Sequence, residues 1–273
     1  MSMLLTKFYR WIFGGRRFFR FNSFLFQCAL HGMGFFICES DNNGESFFLS
    51  RFLREKISNV VFDVGANIGK YSEEILRISP SSTIYAFEPH PETFKKLSAA
   101  LQSSRFYPQN VAVSNEPGKL PLYDYQEGDG SSHASLFQTV IEDFRGKKSV
   151  FHEVEVITLS AFLKEKNISS VDLLKIDTEG NEMSVIRGAL DFLKHGTIRA
   201  IQFEFNEMNV ASRTFFLDFW KALPGYDFYR ILPDGLVHLP SYSSVFCEVF
   251  AFQNIVALAK GDSINQKIIR EIA

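Results

Sequence analysis

The sequence predicts an α/β fold: a mixed, largely parallel sheet with helices on both faces. Three observations carry that expectation. Apolar runs of strand length recur at 60–64, 84–87, 172–176 and 198–205, each ending near a glycine or a carboxylate. Stretches of helical spacing separate them, as crossover connections between parallel strands require. Two late runs, 226–232 and 245–256, follow one another through Pro233-Asp234-Gly235 with no obvious helix between. That predicts a closing hairpin, and so a mixed rather than purely parallel sheet.

Residues 1–55 read as a separate basic and aromatic block. No carboxylate precedes Glu39, whereas Lys7, Arg10, Arg16, Arg17 and Arg20 are cationic and phenylalanines crowd among them. Phe21, Phe24, Leu25 and Cys28 fall at helical spacing, so one or two short amphipathic helices are expected, broken near Gly14-Gly15. A signal peptide is disfavoured because arginines interrupt the apolar segment. Two readings remain: a helical cap that packs on the domain behind it, or a helix lying on a membrane surface. Homo-oligomerisation ordered by this block is left open.

Residues 56–260 carry the α/β pattern, and 261–273 are set apart as a C-terminal tail. A helix is expected over 91–101, with Phe94, Leu97 and Leu101 on one face, then short extended pieces at 110–113 and 120–123. Residues 126–153 are polar, with Gly128, Gly130, Ser131 and Ser132, then a charged helix-like segment to Lys148. A loop of that size inside an α/β domain binds something or moves. A strand at 154–157 and helices at 159–163, 183–193 and 215–223 complete the alternation.

Composition narrows the class. With 273 residues, 46% of them hydrophobic, the chain can bury the core of one full α/β domain plus extra segments. Twenty-nine basic against thirty-one acidic residues give no nucleic-acid footprint. Cys28, Cys38 and Cys247 are odd in number and lack metal spacing, which reads as a reduced, cytoplasmic setting. No apolar run reaches the roughly 18–20 residues a membrane span needs.

The chemistry is concentrated at two strand ends. Val60-Val61-Phe62-Asp63-Val64 enters a turn at Gly65 and leaves as a helix after Gly69; the next strand ends on Glu88. Glycines there let the backbone turn tightly and a ligand come close, and an acid one strand over accepts ribose hydroxyls. The spacing is G-x-x-x-G rather than G-x-G-x-x-G, which argues against a pyrophosphate and hence against a nucleotide-sugar dehydrogenase. A nucleoside with a methionine tail fits better, making S-adenosylmethionine the expected cofactor.

Asp63-Val64-Gly65-Ala66-Asn67-Ile68-Gly69, Phe87-Glu88-Pro89 and Lys175-Ile176-Asp177-Thr178-Glu179-Gly180 with Glu182 resemble the three ordered blocks of FkbM-type S-adenosylmethionine-dependent methyltransferases. The resemblance spans roughly residues 43–258, including Asn43-Gly44-Glu45 and Gly188-Ala189. It implies a class I (Rossmann-like) seven-stranded sheet whose last strand is antiparallel, and O-methylation of sugars, glycans or related polyhydroxyl metabolites. It further implies that Asp63, Gly65, Asn67 and Gly69 line the methionine side of the cofactor and that Glu88 holds its ribose. Residues 126–153 have no counterpart in the resemblance.

Methyl transfer to a hydroxyl benefits from a base within hydrogen-bond reach. Asp177, at a strand end, is the leading candidate, with Glu179 beside it and His133 beside the glycine–serine loop. Glu182, Glu204 and Ser132 are candidates for binding the acceptor. Glu179 and Glu182 also open a helix, where carboxylates are favourable without any catalytic role. Asp177, Glu179, Glu182, Glu204 and Asn206 have the hard oxygens of a magnesium or calcium site, but nothing in their spacing demands one, so no metal is assigned. His90 follows the ribose strand; His31, His152, His195 and His238 have no constellation around them. A non-catalytic or membrane-associated assembly protein retaining the fold is the alternative reading.

Overall fold

The computed structural model describes residues 3–37, 44–128, 130–194 and 196–273; Cys38, Asn43 and His195 lie outside the described residues. Two helices come first, α1 (Met3–Phe13) and α2 (Phe19–Gly32), joined by a short turn at the glycine pair. Their helical form is as expected. The packing expected of a cap, however, is confined to the end of α2: α1 buries no residue and α2 only Leu30, which meets Phe35 and Ala251.

Helix α3 (Glu45–Phe52) then enters the core through Phe48, Leu49 and Phe52. Two strand–helix units and a third strand follow: β1 (Val60–Val64), α4 (Lys70–Ile78), β2 (Thr83–Phe87), α5 (Pro91–Ala100) and β3 (Phe106–Gln109). A second, small sheet comes next, β4 (Ala112–Val113), β5 (Gly118–Tyr125) and β6 (Ser149–Ile157), in the order β4-β6-β5, and the polar segment 126–153 supplies the β5–β6 connection and the start of β6. The segment expected to be charged and helix-like is one wide π-helical turn over Val140–Phe144, and the strand expected at 154–157 begins earlier, at Ser149. Helix α6 (Leu159–Glu165) leads to β7 (Val171–Ile176). The helix expected over 183–193 is two pieces, α7 (Glu182–Arg187) and α8 (Leu190–Leu193). Gly188 and Ala189 lie between them, and a Cβ at Gly188 would fall 2.2 Å from the carbonyl oxygen of Ser114, so only glycine admits that close approach.

The remaining elements are β8 (Ile198–Phe205), α9 (Met208–Ala211), α10 (Phe216–Ala222), β9 (Tyr226–Leu232), β10 (Gly235–Leu239), α11 (Ser244–Cys247), β11 (Gln253–Ala259) and α12 (Ser263–Ile272). The main sheet has eight strands, not seven, in the order β10-β9-β11-β8-β7-β1-β2-β3. Strands β8, β7, β1, β2 and β3 are parallel, and β11 is antiparallel to both β8 and β9. The eighth strand is the hairpin partner of β9. Pro233 and Asp234 close a two-residue turn into β10, so the strand expected at 245–256 starts later, at Gln253, after the short α11. The segment set apart as a tail is α12. Asp262 caps it by accepting from the amides of Ile264 and Asn265, and Ile268 and Ile272 pack with α3.

Both sheet faces are covered. Phe62, Leu174, Ile201 and Phe203 meet α6, α7 and α10 on one side, while Val61, Ile84, Leu173 and Ala200 meet α3, α4, α5 and α12 on the other. That two-sided burial explains why these strands read as continuous apolar runs instead of alternating ones. From β1 the chain moves outward through β2 and β3, then crosses back to β7 on the opposite flank of β1. Open α/β sheets bind ligands at such a reversal, beyond the carboxyl strand ends.

The amino edge is held by one buried carboxylate. Asp172 accepts from Lys56 Nζ (2.7 Å), the amide of Val60 (2.8 Å) and the guanidinium of Arg199. We predict that Asp172→Ala, which strands those donors, lowers stability by about 2–4 kcal/mol in urea unfolding, discounted for the partial exposure of both cations. A loss below about 1 kcal/mol would make the hub dispensable.

Candidate active site

The carboxyl ends of β1, β2 and β7 face one another across two connected clefts. Gly65 (φ +84°) opens the turn after β1 and Gly69 (φ +90°) closes it before α4. The tight turn expected of these glycines is present, but the space beside them, expected for a ligand, is taken by the chain itself. A Cβ on Gly65 would lie 1.7 Å from the Asp177 carbonyl oxygen, and one on Gly69 would lie 2.9 Å from Leu97 Cδ1 of α5. Gly65 still lines both clefts, whereas Gly69 lines neither.

Asn67, left-handed at φ +49°, donates its amide to Glu88 Oε2 (2.9 Å), and the amide of His90 donates to Oε1 (2.8 Å). Glu88 is 7% exposed and lines the first cleft. Burial pushes its carboxyl up to about 7, against the lowering effect of those two amides. Asp63 is buried under the turn, accepts from Ser72 Oγ (2.7 Å), and is raised by burial to about 6.

On the β7 side, Asp177 lines both clefts and Glu179 the first. Glu182 does not line either. Its Oε1 accepts from the amides of Thr178 and Gly180 and from the Thr178 hydroxyl, and its Oε2 accepts from Asn209. Those bonds turn Glu182 inward as the brace of the 178–180 turn, which corrects its expected contact with substrate. Glu204 also lies off the cleft walls, with Lys175 Nζ 4.0 Å from its Oε1.

The glycine–serine loop forms the facing wall, through Gly130, Ser131 and Ser132, and Ser132 lines both clefts. It is tied down: buried Asp124 accepts from the amides of Gly130 and Ser131 and from the Ser131 hydroxyl. His133 does not reach a cleft wall. Its Nδ1 sits 3.1 Å from Glu179 Oε1, and Arg145 approaches Glu179 Oε2 at 3.8 Å, so the lobe is ionically tied to the turn after β7. His90 is buried 3.6 Å from Asp124, against the ring of His152.

Several residues of the site were not singled out from sequence. Lys175, 4% exposed, has Asp177 at 3.2 Å, Glu45 at 3.8 Å and Glu204 at 4.0 Å, beneath the ring of Tyr71. Burial opposes its charge, but the three carboxylates outweigh it and hold Lys175 well above the ordinary lysine range. Burial, and after it Asp177, push the Glu204 carboxyl well up from its ordinary range, against the lowering effect of Lys175. Tyr71 donates to Gln202 Oε1 (2.7 Å), and Gln202 donates to Glu45. The available signal was the two-residue period that puts Lys175 and Asp177 on one side of the chain. Asp177 and Glu204 therefore converge on an ammonium, and no group of three or more metal-ligating side chains stands together among the described residues.

The first cleft, about 660 Å³, has an apolar wall of Phe87, Pro89, Val111, Val113 and Leu122 opposite the carboxylates of Glu88, Asp177 and Glu179. Among the described residues, no lysine, arginine or histidine lines it. Such walls fit a purine face, a ribose diol and a positive centre, and disfavour a pyrophosphate. The fold and cleft together define a nucleoside-binding class I methyltransferase architecture.

Residues 63–229 match the Methyltransferase FkbM domain, and the chain belongs to that family; its cofactor is S-adenosylmethionine. It is 32% identical over 158 residues to Methyltransferase 1 of Beauveria bassiana, covering 48% of this chain and 58% of that protein. It is 31% identical over 184 residues to the 31-O-demethyl-FK506 methyltransferase FkbM of Streptomyces tacrolimicus, covering 55% and 71%. The 2-O-methyltransferase NoeI of Sinorhizobium fredii is 28% identical over 158 residues, covering 52% and 61%. The chain thus spans about three fifths of the length of the first and third of these.

Glu88 generates a prediction about pH. Hydroxyl donors and a sulfonium favour its ionised form, so cofactor affinity should fall as pH drops through about 7. Calorimetry should show about a tenfold weaker Kd one unit below that value, with the slope lost in Glu88→Gln. In the free protein the sign is opposite. A carboxyl raised from 4.5 favours the folded state fully below 4.5, and that contribution is lost as pH climbs through about 7. A pH-independent Kd in the native protein would contradict this role.

Proposed function

We propose that the chain is an O-methyltransferase that moves the methyl group of S-adenosylmethionine to a hydroxyl of a sugar, glycan or related polyhydroxyl metabolite. The observation that supports this most is the junction of the two clefts. Gly65, Asn67, Ser132 and Asp177 line both, so the Asp177 carboxylate stands between the nucleoside cleft and a wider one of about 1350 Å³. The second cleft is walled by Glu45, Tyr71, Lys175, Lys70 and Lys96, a polar, mixed-charge surface suited to many hydroxyls. The names of two relatives, a 2-O-methyltransferase and a 31-O-demethyl-FK506 methyltransferase, place their chemistry on oxygen.

When bound, S-adenosylmethionine supplies an electrophilic methyl group. The chain's own residues do the rest. Glu88 and Asn67 orient the ribose end, and the apolar wall takes the base. Asp177 accepts the proton of the acceptor hydroxyl. Lys175 fixes the Asp177 carboxylate at 3.2 Å and offsets negative charge that builds on the oxygen as its proton leaves. Glu179 borders the first cleft, and His133 and Arg145 act through it as positioning residues.

Asp177→Asn should keep cofactor affinity within about threefold while lowering turnover by about 10²–10⁴-fold, the range a general base contributes. Isotope-labelled S-adenosylmethionine with a panel of sugars, glycans and polyhydroxyl metabolites provides the assay. Loss of cofactor affinity in parallel with turnover would make Asp177 structural. Transfer confined to nitrogen or carbon acceptors would end the O-methylation reading.

A further inference from the structure

The N-terminal helices carry apolar surface that the rest of the fold leaves uncovered. Trp11 is 81% exposed, Leu4 75%, Phe19 71%, and Phe24 and Phe26 each 60%. In α1, Leu4, Leu5, Phe8, Trp11 and Ile12 share one face, and Thr6, Lys7 and Arg10 take the other. In α2, Arg20, Ser23, Gln27 and His31 form a polar stripe. Isolated surface aromatics need no explanation, but a contiguous band of this size does.

The two helices are also joined as one unit. Tyr9 Oη donates to Asn22 Oδ1 (2.6 Å), Asn22 Nδ2 donates to the Phe13 carbonyl (2.9 Å), and the Phe13 ring packs against Tyr9, Phe18 and Phe21. Their root is fixed to the domain. Arg230 stacks 4.1 Å from the Phe35 ring centroid and donates to the Met33 carbonyl, and the Phe36 amide donates to the Phe252 carbonyl. That root adjoins Gln253, which pairs with Phe205 at the carboxyl end of β8, so the pair is rooted on the sheet edge that bears the site.

We infer that this helical pair is an interfacial anchor that docks on an anionic lipid surface. Charge complementarity selects that occupant. Residues 3–37 carry five cations and no carboxylate; with the chain at formal −2, setting those five aside leaves the remainder at −7. Aromatics interleaved with Lys7, Arg10, Arg16, Arg17 and Arg20 match an acyl boundary beneath anionic headgroups. Two such segments facing each other would bring like charges together. No described helix is long and apolar enough to cross a membrane, so the contact lies in the interface plane.

The test uses the full chain carrying Trp220→Phe, which leaves Trp11 as the sole tryptophan. Vesicles of mixed phosphatidylglycerol and phosphatidylcholine should shift Trp11 emission to the blue and co-sediment the protein; pure phosphatidylcholine should do so far less. Arg16→Gln with Arg20→Gln, two exposed side chains, should weaken anionic-vesicle binding roughly thirtyfold at low salt. Phe8→Glu with Phe24→Glu should abolish binding while cofactor affinity stays unchanged. Equal binding to both vesicle types, or none to either, overturns the inference. So does a dimer in sedimentation velocity that the Phe8→Glu, Phe24→Glu variant dissolves, because the occupant is then a second copy.

Discussion

The site depends on one steric constraint: the turns after β1 and β7 cross so closely that no side chain fits at position 65. The Asp177 carbonyl stands where a Cβ of Gly65 would be. That contact brings the carboxyl ends of two neighbouring strands together, and the parallel pairing of β1 with β2 brings in a third. Three carboxylates from two segments, Glu88 after β2 and Asp177 and Glu179 after β7, then line one cleft, with no cation among its described lining residues. Glycine's freedom at positive φ is spent here on chain-to-chain contact, and the cleft is what remains beside it.

Crowding carboxylates has an electrostatic cost that the structure offsets locally. Glu182 is satisfied by backbone amides of the turn it braces, and Asp63 by Ser72. Around Lys175 one ammonium serves Asp177, Glu45 and Glu204. Glu88 stays poised near neutrality because burial and two amide donors act in opposite directions. Positive charge brought by a ligand to this cleft would relieve that excess.

Much of this was legible in the sequence. The apolar runs of β1, β2, β7 and β8 are long and bounded by glycine or acid, and doubly covered strands write themselves that way. Asp63, Gly65, Asn67, Glu88 and Asp177 all line one or both clefts, because strand ends and the turns after them follow directly from strands. What escaped depended on contacts far apart along the chain. Glu45 meets Lys175 only through the folded sheet, and His133 and Arg145 meet Glu179 in the same way. The strand expected at 245–256 begins only at Gln253, and the turn at Pro233-Asp234 closes a hairpin with the nearer segment 235–239 instead. The inward turn of Glu182 could not be read from its place at a helix start, where solvent-facing and braced carboxylates look alike.

The central claim is that the ends of β1, β2 and β7 hold one sulfonium nucleoside between Glu88 and Asp177. A crystal structure with S-adenosylhomocysteine tests it most directly. The account predicts ribose hydroxyls within hydrogen-bond distance of Glu88, the base against Val111, Val113 and Leu122, and the sulfur beside the Asp177 end of the cleft. Density for the nucleoside elsewhere, with Glu88 still bonded only to its two backbone amides, would contradict it.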